Sequence, residues 1–157
     1  MSRFFLSLMA LITLASCNQR TVEPEYPLNI SSVLKVENDV VEYSADYKFS
    51  DGKSSFVIIE PAILKGLEIA VFNNEITVAY NEINLKYDIA DSNRFGAFKD
   101  LNNILIKLNE IQPDFTYSGE QLYSVIEYNG EKVRIILDDE TLKIDKVKTE
   151  NTLFDFD

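Results

Sequence analysis

Along residues 40–49 the apolar side chains fall at every second position. Val41, Tyr43, Ala45, Tyr47 and Phe49 alternate with Glu42, Ser44, Asp46 and Lys48. That period of two predicts a strand with one face turned to a core. Asp51-Gly52 predicts a tight hairpin turn, because both residues tolerate positive φ, and residues 55–60 return with Phe56 and Ile58 on one face. Pro61 ends that strand, and Lys65-Gly66 opens the next. Residues 67–72 and 75–80 flank Asn73-Asn74, and Ile83, Leu85, Tyr87 and Ile89 alternate through residues 82–89. Farther on, residues 121–128 and 131–137 surround Asn129-Gly130, the strongest hairpin signal in the chain. Asp138-Asp139-Glu140 makes a turn before a last strand at 142–147, and residues 30–36 form a first strand of less regular pattern.

Between these strands the period lengthens. Phe95, Phe98, Leu101, Ile104, Leu105, Leu108 and Ile111 recur three or four apart. This predicts an amphipathic helix of about fourteen residues, from Phe95 to Leu108 or slightly beyond. Asp91, Ser92 and Asn93 are available N-caps, and Pro113 blocks continuation. Seven to eight antiparallel strands and one main helix make an α+β fold, a curved sheet or half-open barrel packed on the helix. A helix of that size is about 20 Å long. It cannot cover the whole apolar face of such a sheet, so the sheet must curl on itself or hold something else.

The amino terminus follows another rule. Met1-Ser2-Arg3 precedes an apolar run over residues 4–14, shorter than the ~20 residues of a stable membrane span and fitting a secretory signal. The run ends in Leu14-Ala15-Ser16-Cys17, which resembles the bacterial lipobox. That resemblance implies cleavage before Cys17 and acylation of its sulfur. The chain would then be exported and lipid-anchored, at the outer face of the cytoplasmic membrane or at the outer membrane of a Gram-negative cell. Two or more acyl chains hold durably, at ~0.8 kcal/mol per buried CH₂. Residues 1–16 are read as the signal peptide, 17–28 as the lipidated Cys and a flexible linker with Pro24 and Pro27, and 29–157 as one domain.

Composition narrows the function. With 26 acidic and 15 basic side chains the formal charge is −11, which argues against nucleic-acid binding and sets the body away from anionic headgroups beyond its anchor. No histidine and a single cysteine leave no imidazole base and no thiolate cage, so neither metal nor cofactor is expected. Asp138-Asp139-Glu140 lacks calcium-loop spacing. No nucleophile elbow, P-loop or dinucleotide fingerprint occurs. Glu60, Glu68, Asp114 and Glu127 could serve a carboxylate hydrolase but are scattered along the chain. The expectation is a protein that is not an enzyme.

The segment Phe56-Val57-Ile58-Ile59-Glu60-Pro61, continued by Ala62-Ile63-Leu64-Lys65-Gly66-Leu67-Glu68-Ile69, is similar to a pattern of LolA/LolB-like lipoprotein carriers. There a strand ends at Pro, a short connection closes in a Leu-x-Gly-Leu element, and a new strand begins. The resemblance covers about residues 40–147. It implies a half-open barrel around an apolar cavity, lidded by helix, which in the better-known members holds acyl chains. The positions it points to are Tyr43, Tyr47, Phe56, Ile58, Ile76, Val78 and Tyr80 on the strands, with Leu101 and Leu105 on the lid. Read from the residues alone, these side chains are either solid core or the lining of a ligand cavity.

This chain shows fewer helices than a full carrier, and an anchored protein cannot shuttle. Two functions follow. One is a non-catalytic, membrane-anchored binder of a lipid or other hydrophobic ligand in the half-barrel. The other is an anchored module that scaffolds or activates another exported protein of the cell or spore envelope, as some similar lipoproteins do.

Overall fold

The computed structural model describes residues 22–38, 42–73, 75–88 and 95–157. A first meander comprises β1 (Ile30–Asn38), β2 (Glu42–Ser50), β3 (Lys53–Glu60), β4 (Glu68–Phe72), β5 (Glu75–Tyr80) and β6 (Ile83–Asp88). The helix α1 (Gly96–Ile111) follows. A second meander then runs through β7 (Thr116–Ser118), β8 (Gln121–Tyr128), β9 (Glu131–Leu137), β10 (Ile144–Lys148) and β11 (Thr152–Phe156). Among the described residues all pair antiparallel in one open sheet of eleven strands, ordered β6-β5-β4-β3-β2-β1-β11-β10-β9-β8-β7.

Eleven strands replace the expected seven to eight. The additions include β7, with three residues, and β11, with five; neither run is long enough to display a period. β11 matters most, because it joins the two meanders. Its register on β1, from Leu34↔Phe156 to Asn38↔Thr152, is a pairing between the ends of the domain and leaves no local mark.

The hairpins form where turn chemistry requires them. Asp51 and Gly52 take φ of 50° and 73°, and Asn129 and Gly130 take 53° and 82°, so both central residues have the positive φ of a type I′ turn. The connection after β3 follows the expected Pro-to-Gly course. Pro61 leads a short 3₁₀ turn, Ala62–Leu64, and Gly66 at φ 84° turns the chain back so that its N–H donates to the Ile58 carbonyl at 2.8 Å. Several expected positions lie outside the described residues: Cys17 and the rest of residues 1–21, Val41, Asn74, Ile89, and the N-cap candidates Asp91, Ser92 and Asn93.

Helix α1 runs 16 residues and ends where Gln112, left-handed at φ 44°, donates its N–H to the Leu108 carbonyl; Pro113 follows. Leu101, Ile104, Leu105 and Leu108 are buried on its core side. The helix touches β3 and β4 on one flank. Its other flank meets the second meander, where the Tyr128 hydroxyl donates to Asp100 at 3.1 Å and accepts from Asn103 at 3.3 Å. The sheet therefore wraps the helix. Eleven strands at ~4.8 Å spacing span ~48 Å, against a rod ~24 Å long and ~10 Å wide.

The segment that composition marks as a linker is laid against the domain from Val22 onward. Val22 and Phe115 exchange backbone hydrogen bonds at 3.2 Å, and the Leu28 N–H donates to Asn109 Oδ1 at 2.7 Å. Pro24 and Leu28 are buried. Removing those apolar groups from water gives this strap a reason to pack that its prolines alone do not reveal. Among the described residues no helix is long and apolar enough to cross a membrane.

Candidate functional site

The inner face of the sheet can be followed in cross-strand rows. One row runs Leu85–Val78–Ile69–Phe56–Tyr47–Ser32, from β6 to β1. A parallel row runs Tyr87–Ile76–Val71–Ser54–Phe49–Ile30. In both, the middle is sealed: Ile69, Phe56, Tyr47, Ile76, Val71, Ser54 and Phe49 are each no more than 2% exposed. The helix lies over that stretch, with Phe98 against Phe56, and Phe156 of β11 meets Tyr47. Both ends come out again.

At the β6 end the inner face is bare. Ile83, Leu85, Tyr80 and Tyr87 are 62%, 47%, 41% and 40% exposed, although Tyr80↔Ile83, Val78↔Leu85 and Ile76↔Tyr87 pair in register with the core-facing row. These side chains point to the core side of the sheet, and of the four only Tyr87 makes a ring contact with the start of α1, at Phe95. Fully covering one such side chain is worth ~1.5–3 kcal/mol, so this shelf is the largest unrealised burial on that face. The 3₁₀ turn brings Ile63, at 83% exposure, and Leu64 to the same end of the sheet as Tyr80 and Ile83.

An aromatic series joins shelf to core. Tyr87 meets Phe95 with ring centroids 5.7 Å apart, and Phe95 meets Phe98 at 6.4 Å. Phe98 stacks on Tyr43 at 5.1 Å and stands edge-on to Phe56 at 4.8 Å. Among the described residues the buried Tyr43 hydroxyl has no hydrogen-bond partner, and burial pushes its pKa up. Asn102 Oδ1, one helical turn from Phe98, is likewise buried and has no partner among them. Tyr47 is different: its hydroxyl meets Ser54 Oγ at 3.0 Å inside the core, and burial outweighs that bond in raising its pKa.

Seven residues predicted as cavity lining, Tyr43, Tyr47, Phe56, Ile58, Ile76, Leu101 and Leu105, belong to the single packed core cluster. The physical reason is the curl of the sheet, which brings the second meander against the helix and fills the space beneath it. Val78 and Tyr80 reach the shelf. Two hollows lie elsewhere and are lined by none of the nine. One, of about 520 Å³, is a groove beside Arg134 and Lys148; the other, of about 720 Å³, lies under the strap. Sequence reasoning recognised Ile83, Leu85 and Tyr87 as a strand face but did not select them. The signal was there: the Asn81-Glu82 turn pairs Tyr80 with Ile83, which puts Leu85 and Tyr87 on the face of Val78 and Ile76.

Glu60, Glu68, Asp114 and Glu127 all sit on the surface. Among the described residues no three carboxylates converge as metal ligands. What the shelf offers chemically is apolar area with two phenol hydroxyls at its margin, suited to contact rather than bond making.

No family model matches the chain, and no curated protein matches it. Solved structures do show likeness. The chain resembles a LolA superfamily protein of Nitrosomonas europaea, at 11% identity over 89% of this chain and 85% of that one, with a TM-score of 0.37. It also resembles the lipoprotein LppX of Mycobacterium tuberculosis, at 10% identity over 100% and 95%, with a TM-score of 0.42.

Proposed function

We propose that the chain is a non-catalytic lipoprotein, exported and anchored through an acylated Cys17, that binds a lipid or another hydrophobic ligand on the open end of its inner sheet face. The observation that carries this reading is the shelf. Ile83, Leu85, Tyr80 and Tyr87 lie on the sheet face that buries Ile76, Ile69 and Phe56, and remain 40–62% exposed. A flexible apolar chain laid along β6 would complete the burial that α1 leaves undone. The acidic body disfavours anionic headgroups at long range, so the contact is driven by apolar area.

Native mass spectrometry of protein extracted from membranes in mild detergent tests the reading. A ligand mass is expected in excess of the acylated chain, and it should fall away in Leu85→Glu. Bare acylated mass in both proteins counts against it.

A second reading has its own support. Among the described residues β6 is an edge strand, paired on one side to β5 and on the other to none, and an unpaired edge beside apolar side chains accepts a protein strand. In that case the anchored domain holds another exported protein. Photocrosslinking from Lys86, on the outer face of β6, distinguishes the two: a stoichiometric protein adduct favours the module, and lipid adducts from Leu85 favour the binder.

A further inference from the structure

The outer face of the second meander carries a charge arrangement that folding does not require. One row of that face runs Val125–Arg134–Lys148–Leu153, from β8 to β11. It sets two cations directly opposite each other, between two aliphatic side chains. Like charges so placed repel. Lys132, two residues before Arg134 on the same face, adds a third positive charge. The neighbouring row shows the ordinary arrangement: there Lys146 stands opposite Asp155 and bonds it at 2.9 Å. Glu127 faces Lys132 in register, yet among the described residues none of these three cations has an ion-pair partner. In a chain with 26 acidic side chains that is a conspicuous omission.

The three exposed cations line the groove of about 520 Å³. Arg134 is steadied there, its guanidinium lying over the Tyr123 ring at 4.6 Å from the centroid. This cation–π contact uses none of its N–H donors as hydrogen bonds. Glu131, Thr149 and Glu150 also border the groove. Glu131 has the strand parity of Val133 and Ile135, which are buried on the opposite face. The Thr149 hydroxyl is engaged with the Thr152 backbone, and Glu150 lies in the turn between β10 and β11. The net charge of −11 opposes an anion from afar, but screening beyond ~8–10 Å leaves the adjacent cations to decide. A guanidinium fork beside an ammonium matches the oxygens of a phosphate, and the volume leaves room for the organic group that carries it.

We propose that this groove binds the phosphate of a phosphomonoester or phosphodiester whose polar body is of glycerol size. Arg134 donates two N–H groups to the phosphate oxygens and Lys148 donates from across the strand pair, so the anion cancels their mutual repulsion. Lys132 adds charge at the groove's margin. The site lies on the outer face of the sheet and the shelf on the inner face, so the two are independent.

The test uses the full chain in phosphate-free dodecyl maltoside micelles, with Leu and Val methyl groups labelled for NMR. The soluble probe is sn-glycerol 3-phosphate, set against glycerol and against sodium chloride at equal ionic strength. Glycerol 3-phosphate should shift the Val125 and Leu153 methyls saturably and leave Leu85 and Leu105 unmoved, while glycerol and chloride produce no saturable shift. Arg134→Gln with Lys148→Gln should weaken the phosphate at least about tenfold, with the buried Val133 and Val147 methyls unchanged. Phosphatidylglycerol doped into the micelles distinguishes the source: a response to it alone assigns the site to a lipid headgroup, and a response to the soluble probe alone assigns it to a free phosphoester. Equal shifts with chloride or glycerol, undiminished binding in the folded variant, or no response to either phosphate would each overturn the proposal. The comparison among probes on the unaltered chain decides the matter even if the double variant does not fold.

Discussion

Tyr47 and Ser54 join their hydroxyls at 3.0 Å across the β2–β3 hairpin, and both are sealed in the core. Tyr43, four residues earlier on the same face, buries its hydroxyl with no partner among the described residues. The two tyrosines should therefore respond oppositely to loss of oxygen. Tyr47→Phe leaves Ser54 unsatisfied and should cost ~1–3 kcal/mol. Tyr43→Phe removes an orphan and should be neutral or stabilising by up to ~1 kcal/mol. Urea denaturation midpoints of the two variants check the contrast.

The shelf and the helix face should also separate stability from binding. Leu105→Ala empties a fully buried position and should cost ~2–5 kcal/mol. Leu85→Glu changes a half-exposed position and should alter stability by less than about 0.5 kcal/mol. Thermal denaturation measures both stability effects, and loss of co-purifying ligand mass reports the binding that Leu85→Glu removes.

The division between what the chain's pattern reveals and what it hides follows the range of the interactions. The Asp51-Gly52 and Asn129-Gly130 turns, the strands beside them and the 3.6-residue stripe of α1 are local, and each is legible. The β1–β11 pairing links residues more than a hundred positions apart, so nothing near Leu34 announces Phe156. The same limit applies to the site. Alternation identifies the face on which Val78 and Leu85 lie, but not how far along that face the helix extends. Phe56 and Leu85 share one row and one chemistry; only tertiary packing seals one and exposes the other.

Alkaline pH should loosen the strap. Burial, aided by Glu23, pushes Tyr26 from 10.0 up to about 12, so the folded protein keeps a proton that the unfolded chain releases earlier. Its contribution to stability is complete below pH 10 and is lost as the pH rises through 12. Denaturation midpoints taken from pH 8 to 12 should fall more gently in Tyr26→Phe than in the unaltered chain, the difference isolating this residue from the other buried tyrosines.

Asn109 holds the strap from the helix. Its Oδ1 accepts the Leu28 N–H at 2.7 Å, and Asn109→Ala should cost ~1 kcal/mol while raising amide exchange through residues 22–30. Hydrogen exchange read by mass spectrometry should show that rise confined to the strap, with β2 and β3 unaffected.

The most direct measurement of where a lipid sits is paramagnetic broadening. A spin-labelled lysophosphatidylcholine, added to the methyl-labelled protein, should broaden Ile83 and Leu85 on β6 most strongly, with the effect falling away along the sheet so that Val133 on β9 and Val147 on β10 are the least affected. Uniform broadening over the surface, or none at β5 and β6, would contradict a hydrophobic binding shelf.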